Sequence, residues 1–118
     1  MNIGKTGAAG ETCAAQYLQQ RGFSILRQNY QTRFGEVDII AADGSFLVFA
    51  EVKTRRPNAA VSGAESVTAA KQRRILAAAQ QYLLENESGL QPRFDVIEVV
   101  HENGVFSVQQ HIEDAFGT

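Results

Sequence analysis

Apolar residues fall into two kinds of run along this chain, short extended runs typical of strands and longer segments with helical spacing. Two of the short runs, residues 36–41 and 46–54, flank the segment Ala-Asp-Gly-Ser at residues 42–45. Because Asp-Gly between two apolar runs is a strong turn signal, these segments predict a β-hairpin. Residues 23–31 predict a strand before it, separated from the hairpin by a break at residues 33–35.

Two longer segments predict helices. Residues 8–21 carry small and apolar side chains on one stripe, and Gly22 follows where a left-handed residue often ends a helix. The members of this stripe are Ala8, Ala15 and Leu18. Glu11 lies on the same stripe, so it is either at the edge of the core or directed at a site, because burying an unpaired charge is costly. Residues 67–85, rich in alanine, predict the second helix.

The order of the elements predicts the fold class. Residues 94–100 and 105–112 predict a second hairpin, which follows the helix at 67–85. A strand, a long helix and another strand in this order favour a parallel pair of strands. We therefore expect an α/β fold with a mixed central β-sheet flanked by helices, and one domain over residues 1–118. Residues 54–66 predict an exposed loop.

The first hairpin has charged residues at its open end. Residues two apart on a strand point to the same face, so Glu51 and Lys53 share a face. A two-residue loop would place Asp38 diagonally across from Glu51, and a four-residue loop would place it directly opposite. Either register puts both acids on one side. The opposite face is predicted to be apolar core, formed by Val37, Ile39, Val48, Ala50 and Val52.

This polar face has the residue types of a metal-dependent nuclease. Mg²⁺ needs only one or two carboxylates, because it keeps several waters and binds substrate phosphates. Asp38 and Glu51 supply the carboxylates, and the backbone carbonyl of Val52 is a candidate third ligand. Lys53 is a candidate to hold the attacking water or to stabilise charge on the phosphoryl group. Glu11 is a candidate to complete the site from the first helix, directly or through a water.

Charge is unevenly distributed along the chain. The total is −2, which argues against a strongly basic nucleic-acid-binding domain. Residues 53–74 nevertheless contain six basic residues against one acid, a local balance of +5 that leaves −7 for the rest. Such asymmetry is typical either of a phosphate-facing patch or of a solvated loop and helix face. Within residues 53–74, Arg55 and Lys71 are the predicted DNA contacts.

Several function classes receive no support from the sequence. An apolar run of about 18 residues, as a membrane span requires, is absent, and the amino terminus lacks the pattern of a signal peptide. We therefore expect a cytoplasmic protein without membrane association. His101 and His111 have the spacing of neither a zinc helix nor a nucleophile relay, and we expect surface roles for both.

Several short blocks resemble the YraN-type bacterial family, over about residues 4–100. They are Gly-Glu at 10–11, Asn-Tyr at 29–30, GEVDIIA at 35–41, LVFAEVKTR at 47–55 and the helix led by Lys71. That family is similar to archaeal Holliday junction resolvases of the PD-(D/E)xK nuclease superfamily. The resemblance implies a restriction-endonuclease-like fold.

The resemblance also implies residue roles, a cofactor and partners. Glu11 corresponds to the helix acid of the superfamily, Asp38 to the metal-binding aspartate, Glu51 to the second carboxylate and Lys53 to the catalytic lysine. The expected cofactor is Mg²⁺ or Mn²⁺, and the expected substrate is DNA, branched DNA in particular, acted on by a homodimer. The alternatives are a nucleic-acid-binding module without turnover and, given the acidic overall charge, a protein-interaction domain.

Overall fold

The computed structural model describes residues 4–57 and 67–117, which form five strands and two helices. In chain order the elements are α1 (Gly4–Gln20), β1 (Ser24–Gln31), β2 (Glu36–Ala42), β3 (Phe46–Arg55), α2 (Ala69–Glu85), β4 (Gln91–Glu102) and β5 (Val105–Phe116). The strands lie side by side in that order in one sheet. The pair β3 and β4 is parallel, and the other neighbours are antiparallel.

This architecture confirms the predicted α/β class with a mixed sheet, and it is compatible with a restriction-endonuclease-like fold. The parallel pair arises because α2 connects β3 to β4, as the order of elements predicted. Most of the predicted exposed loop, residues 58–66, lies outside the described residues. Among the residues that the structure describes, no helix is long and apolar enough to cross a membrane.

Each face of the sheet carries one apolar cluster and one helix. On the first face, α1 contributes Ala14, Ala15 and Leu18, which pack against Ile39, Ala41, Val48, Ala50, Ile97 and Val99 of the sheet. On the second face, α2 contributes Ile75, Ala78, Ala79 and Tyr82, which pack against Tyr30, Val37, Ile40, Leu47, Phe49, Val67, Phe94 and Val96. The sheet is therefore covered on both sides, as expected for a layered α/β protein.

The helix α1 differs from its prediction at its first turns. It begins at Gly4 rather than at residue 8, and Ala8 is exposed, so the predicted stripe is wrong at that position. Gly10 faces the sheet instead, where a side chain would collide with Thr54 at the end of β3. The missing side chain permits close packing of α1 on β3. Gly22 has φ +95 and ends the helix region as predicted.

The first hairpin has a four-residue loop. Its paired residues run from Ala42 with Leu47 to Ile39 with Ala50, which extrapolates to Asp38 opposite Glu51. This is the second of the two registers that the sequence allowed. Of the residues predicted on the apolar face, Val37 is an exception, because it packs in the cluster under α2.

Candidate carboxylate site

Asp38 lies where the ladder between β2 and β3 ends. Beyond the pair of Ile39 and Ala50, the Asp38 carboxylate takes the place of a main-chain partner, with Oδ2 accepting a hydrogen bond from the Val52 N–H at 2.8 Å. The N–H and C=O of one residue in a strand point in the same direction. The Val52 carbonyl is therefore directed toward the same opening between the strands as the carboxylate.

Glu51 faces this opening from β3 and is only 4% exposed. Its Oε2 lies 3.5 Å from the Nζ of Lys53 and 3.8 Å from the Nζ of Lys71, at the start of α2. Its Oε1 is buried and has no hydrogen-bond partner among the described residues. A buried carboxylate oxygen without a donor is costly, so this atom is a candidate contact for a ligand.

Glu11 approaches the same acids from α1. It is buried, its Oε1 also has no partner among the described residues, and Asn29 of β1 hydrogen-bonds its carboxyl group. Asn29 has φ +52, a left-handed conformation that asparagine tolerates better than most residues. The Asn-Tyr block at residues 29–30 carried part of the family resemblance but gave Asn29 no role in the site, because its contact with Glu11 depends on where α1 packs.

The three acids hold protons more tightly than exposed carboxyls. Burial and then the Asp38 charge raise the pKa of Glu51 to about 7, and the same two causes raise the pKa of Glu11 to about 7. Burial also raises the pKa of Asp38, against the opposing effects of the Val52 N–H and the Lys71 charge.

The oxygen set at this opening fits a hard divalent cation. The described residues contain no group of three or more His, Cys, Asp and Glu side chains arranged for a metal. The candidate set is instead two carboxylates, Asp38 and Glu51, with the Val52 carbonyl. That is enough protein for Mg²⁺, which keeps waters and takes substrate oxygens. The unpartnered Oε1 of Glu51 and the raised pKa values are what a cation would relieve.

The two predicted DNA contacts, Lys71 and Arg55, both form ion pairs at or near this site. Lys71 faces the sheet, as its spacing from the buried Ile75 predicted, and contacts Glu51. Arg55 follows Lys53 on β3, and its Nε lies 2.8 Å from Oε2 of Glu98 on β4. Glu98 is buried and pairs in register with Lys53. Glu98 could not be identified from residue types alone, because its position beside Lys53 depends on the register of the parallel pair.

A second buried carboxylate belongs to a different network. Asp95 on β4 accepts two hydrogen bonds from Arg93, at 2.9 Å each, and one from the backbone N–H of Asp114. The ring of His111 lies between Asp95, at 2.7 Å, and the hydroxyl of Tyr17, at 2.9 Å. The prediction of a surface role for His111 is wrong, because its side chain is buried between β4 and α1.

Comparison with known proteins places these residues in a family. A sequence model of the uncharacterised protein family UPF0102 matches residues 10–99. A UPF0102 protein of Chlorobium chlorochromatii (strain CaD3) is 49% identical over 115 residues, covering 93% of this chain and 89% of the relative. A UPF0102 protein of Rhodococcus opacus (strain B4) is 45% identical over 111 residues, covering 93% of this chain and 94% of the relative. The matched segment includes every residue of the carboxylate site.

Proposed function

We propose that this chain, which belongs to the UPF0102 family of YraN-type proteins, is a divalent-metal-dependent endonuclease that hydrolyses phosphodiester bonds in structured or branched DNA. The observation that carries the proposal is the buried Oε1 of Glu51, beside Asp38, for which the described part of the chain provides no hydrogen-bond partner. A buried carboxylate oxygen without a donor is costly, so this atom favours a bound ligand over a purely structural role for Glu51.

Asp38, Glu51 and the Val52 carbonyl would hold the Mg²⁺ or Mn²⁺ ion. When bound, such an ion lowers the pKa of a coordinated water and polarises phosphate oxygens. The hydrogen bond from the Val52 N–H fixes the Asp38 carboxylate in one orientation, so little rotamer entropy remains to be lost on binding. Glu11, on the α1 side, is suited to hold a water or to exchange a proton near neutral pH.

Lys53 supplies a positive charge next to Glu51. Its Nζ is 3.5 Å from Glu51, and the side chain is partly exposed, so it reaches both the acid and the solvent side where a substrate would lie. An ammonium group there can orient the attacking water and stabilise charge that develops on the phosphoryl group. Lys71, the second cation on Glu51, would contact a neighbouring phosphate once the metal takes over the carboxylate.

The test is a cleavage screen with labelled four-way junction, flap, single-stranded and duplex DNA, with Mg²⁺ or Mn²⁺. Asp38→Asn and Glu51→Gln keep the shape of each side chain and remove the charge that would bind the metal. Each should reduce cleavage by at least about 100-fold, the loss typical of removing one electrostatic contact to the transition state. Lys53→Ala should reduce cleavage to a similar extent while metal binding is retained.

Glu87→Gln is the matched control, since it removes an exposed carboxylate beyond the end of α2. It should cut DNA like the wild type. Wild-type cleavage that persists in both site variants would refute the proposal. Binding to DNA that survives both substitutions, with no product from any substrate, would favour a nucleic-acid-binding module without turnover. That second candidate draws support from Lys53 and Lys71, which already neutralise part of the Glu51 charge.

A further inference from the structure

The turn between β1 and β2 presents an exposed aromatic ring. Phe34 is 62% exposed, and the Arg33 guanidinium lies over its ring, 5.4 Å from the centroid. A single exposed apolar side chain is ordinary, so what distinguishes Phe34 is the combination of a flat ring with the adjacent guanidinium. The ring and the cation together offer one surface for stacking and one for a phosphate.

The conformation of this turn is fixed by one side chain. The Thr32 hydroxyl accepts hydrogen bonds from the backbone N–H groups of Phe34, at 3.1 Å, and Gly35, at 3.0 Å. The Thr32 N–H donates to the Gly35 carbonyl at 2.8 Å, and the Thr32 hydroxyl lies 3.0 Å from the same oxygen. Phe34 is therefore held out toward solvent by a turn ordered in advance, which lowers the entropy lost on binding.

The same turn packs directly against the helix that reaches the carboxylate site. A side chain at Gly35 would collide with the backbone of Arg74 in α2, and the Arg74 guanidinium contacts Glu36 at 3.2 Å. One turn earlier on α2, Lys71 contacts Glu51. Phe34 precedes Asp38 by four residues, so at most about 14 Å of extended chain separates them.

We propose that Phe34 stacks on an unpaired base of the substrate, within a few nucleotides of the bond to be cut. The inference rests on the proposed nuclease function and narrows its substrate class. A base inside a continuous duplex has both faces covered by its neighbours, whereas a base at a flap, a branch point or in a single strand can stack on an aromatic side chain. Arg33 and Arg74 would contact the phosphates on either side.

The first experiment uses a fluorescent reporter at the proposed contact. The chain has no tryptophan, so Phe34→Trp introduces a unique indole at this position. In a Lys53→Ala background, which keeps the DNA uncut, we expect a flap or single strand to quench this fluorescence and a blunt duplex to leave it unchanged. Leu84→Trp is the matched control, because Leu84 is 81% exposed but about 20 Å farther along α2 than Lys71.

The second experiment measures selectivity. Phe34→Ala should weaken binding to the flap by about 5- to 100-fold, the range of one base-aromatic stack, and binding to the blunt duplex by less than about twofold. Phe34→Tyr should restore flap binding, because it keeps the ring.

The outcomes separate this inference from the nuclease proposal. If cleavage depends on Asp38 but Phe34→Ala binds the flap and the duplex as the wild type does, stacking is refuted and the nuclease proposal stands. The same conclusion follows if DNA binds without quenching the Phe34→Trp signal. If the wild type neither binds nor cuts any of these DNA molecules, both proposals fail.

Discussion

Two buried carboxylate clusters in this molecule have opposite electrostatics. Asp95, which is 0% exposed, is surrounded by donors: Arg93 binds it through two nitrogens, and His111 and the Asp114 N–H complete the set. The hydrogen bonds from His111 and Arg93 lower the pKa of Asp95 despite its burial. Glu51 is nearly as buried, yet its pKa is raised, and one of its oxygens has no hydrogen-bond partner within residues 4–57 and 67–117.

The difference shows how a structural acid and a binding acid can be told apart. Burial acts to raise the carboxyl pKa in both clusters, since it disfavours the charged form. What differs is whether the chain supplies enough donors to offset it. At Asp95 it does, so the carboxylate stabilises the packing of β4 against β5. At Glu51 and Glu11 the described residues leave one buried oxygen of each carboxyl group without a donor, so these acids are suited to bind a cation from solution.

The largest expected effect is on stability and comes from the satisfied cluster. Asp95→Asn should lower the free energy of unfolding at pH 7 by about 3–5 kcal/mol, because removing one partner leaves the buried Arg93 guanidinium without its counter-charge. Urea denaturation measures the change. Glu113→Gln is the control, since Glu113 is mostly exposed and 3.8 Å from the same guanidinium. A loss below about 1 kcal/mol at Asp95 would show that its network is not structural.

The next effect is a pH dependence from the unsatisfied cluster. In the folded protein, burial raises the pKa values of Glu11 and Glu51 to about 7. In the unfolded chain, both carboxyl groups return to the ordinary pKa of 4.5. Between these values the folded state binds more protons, so stability falls as pH rises. Without divalent metal, the free energy of unfolding should decrease by about 2–4 kcal/mol from pH 5 to pH 8.

Asp95 does not obscure this measurement, because its pKa shift has the opposite sign and affects stability in a different pH range. Its pKa is lowered, so its stabilisation is present above the unfolded value of 3.8 and is lost only in more acidic solution. Urea denaturation in a chelator at several pH values between 5 and 8 is the measurement. A free energy that stays constant or rises over this range would mean that the two glutamates are not protonated in the folded state.

The hairpin that carries the site was predictable, apart from its register. Asp-Gly marked the turn but is compatible with two loop lengths. In the structure, the Asp43 carboxylate accepts hydrogen bonds from the N–H groups of Ser45 and Phe46, and the Asp43 N–H donates to the Phe46 carbonyl. These contacts stabilise the four-residue loop. A choice between registers therefore depended on local hydrogen bonds that residue types alone do not specify.

The convergence of Asp38, Glu51 and Lys53 was predictable because a strand alternates its faces and a short loop limits the register. Asn29 and Glu98 were not, since each joins the site across a contact between distant segments. Asn29 depends on the position of α1, and Glu98 depends on the parallel register of β3 and β4. The burial of His111 was not predictable either, because its partners, Asp95 and Tyr17, lie far from it in the sequence.

A smaller effect distinguishes the two clusters by direct substitution. Glu51→Gln should raise the free energy of unfolding by about 1–3 kcal/mol at pH 8 in a chelator, because a neutral amide replaces a charge that burial disfavours. Mn²⁺ should stabilise the wild type under the same conditions and leave the variant unchanged. Thermal unfolding with and without Mn²⁺ measures both effects, and Glu87→Gln should behave as the wild type. Destabilisation by Glu51→Gln without metal would place Glu51 with Asp95 as a structural acid.

The smallest effect is expected at an acid beside the site that solvent reaches. Glu36 pairs with Arg74 at 3.2 Å, but the two side chains are 39% and 54% exposed, so water screens their attraction. Glu36→Gln should change the free energy of unfolding by less than about 1 kcal/mol, with any change reduced further in high salt. Parallel urea titrations at low and high salt test this. Because Glu36 is two residues from Asp38 on the same strand, a shift as large as that of Glu51→Gln would mean that proximity to the site, rather than burial without donors, sets the energetics of these acids.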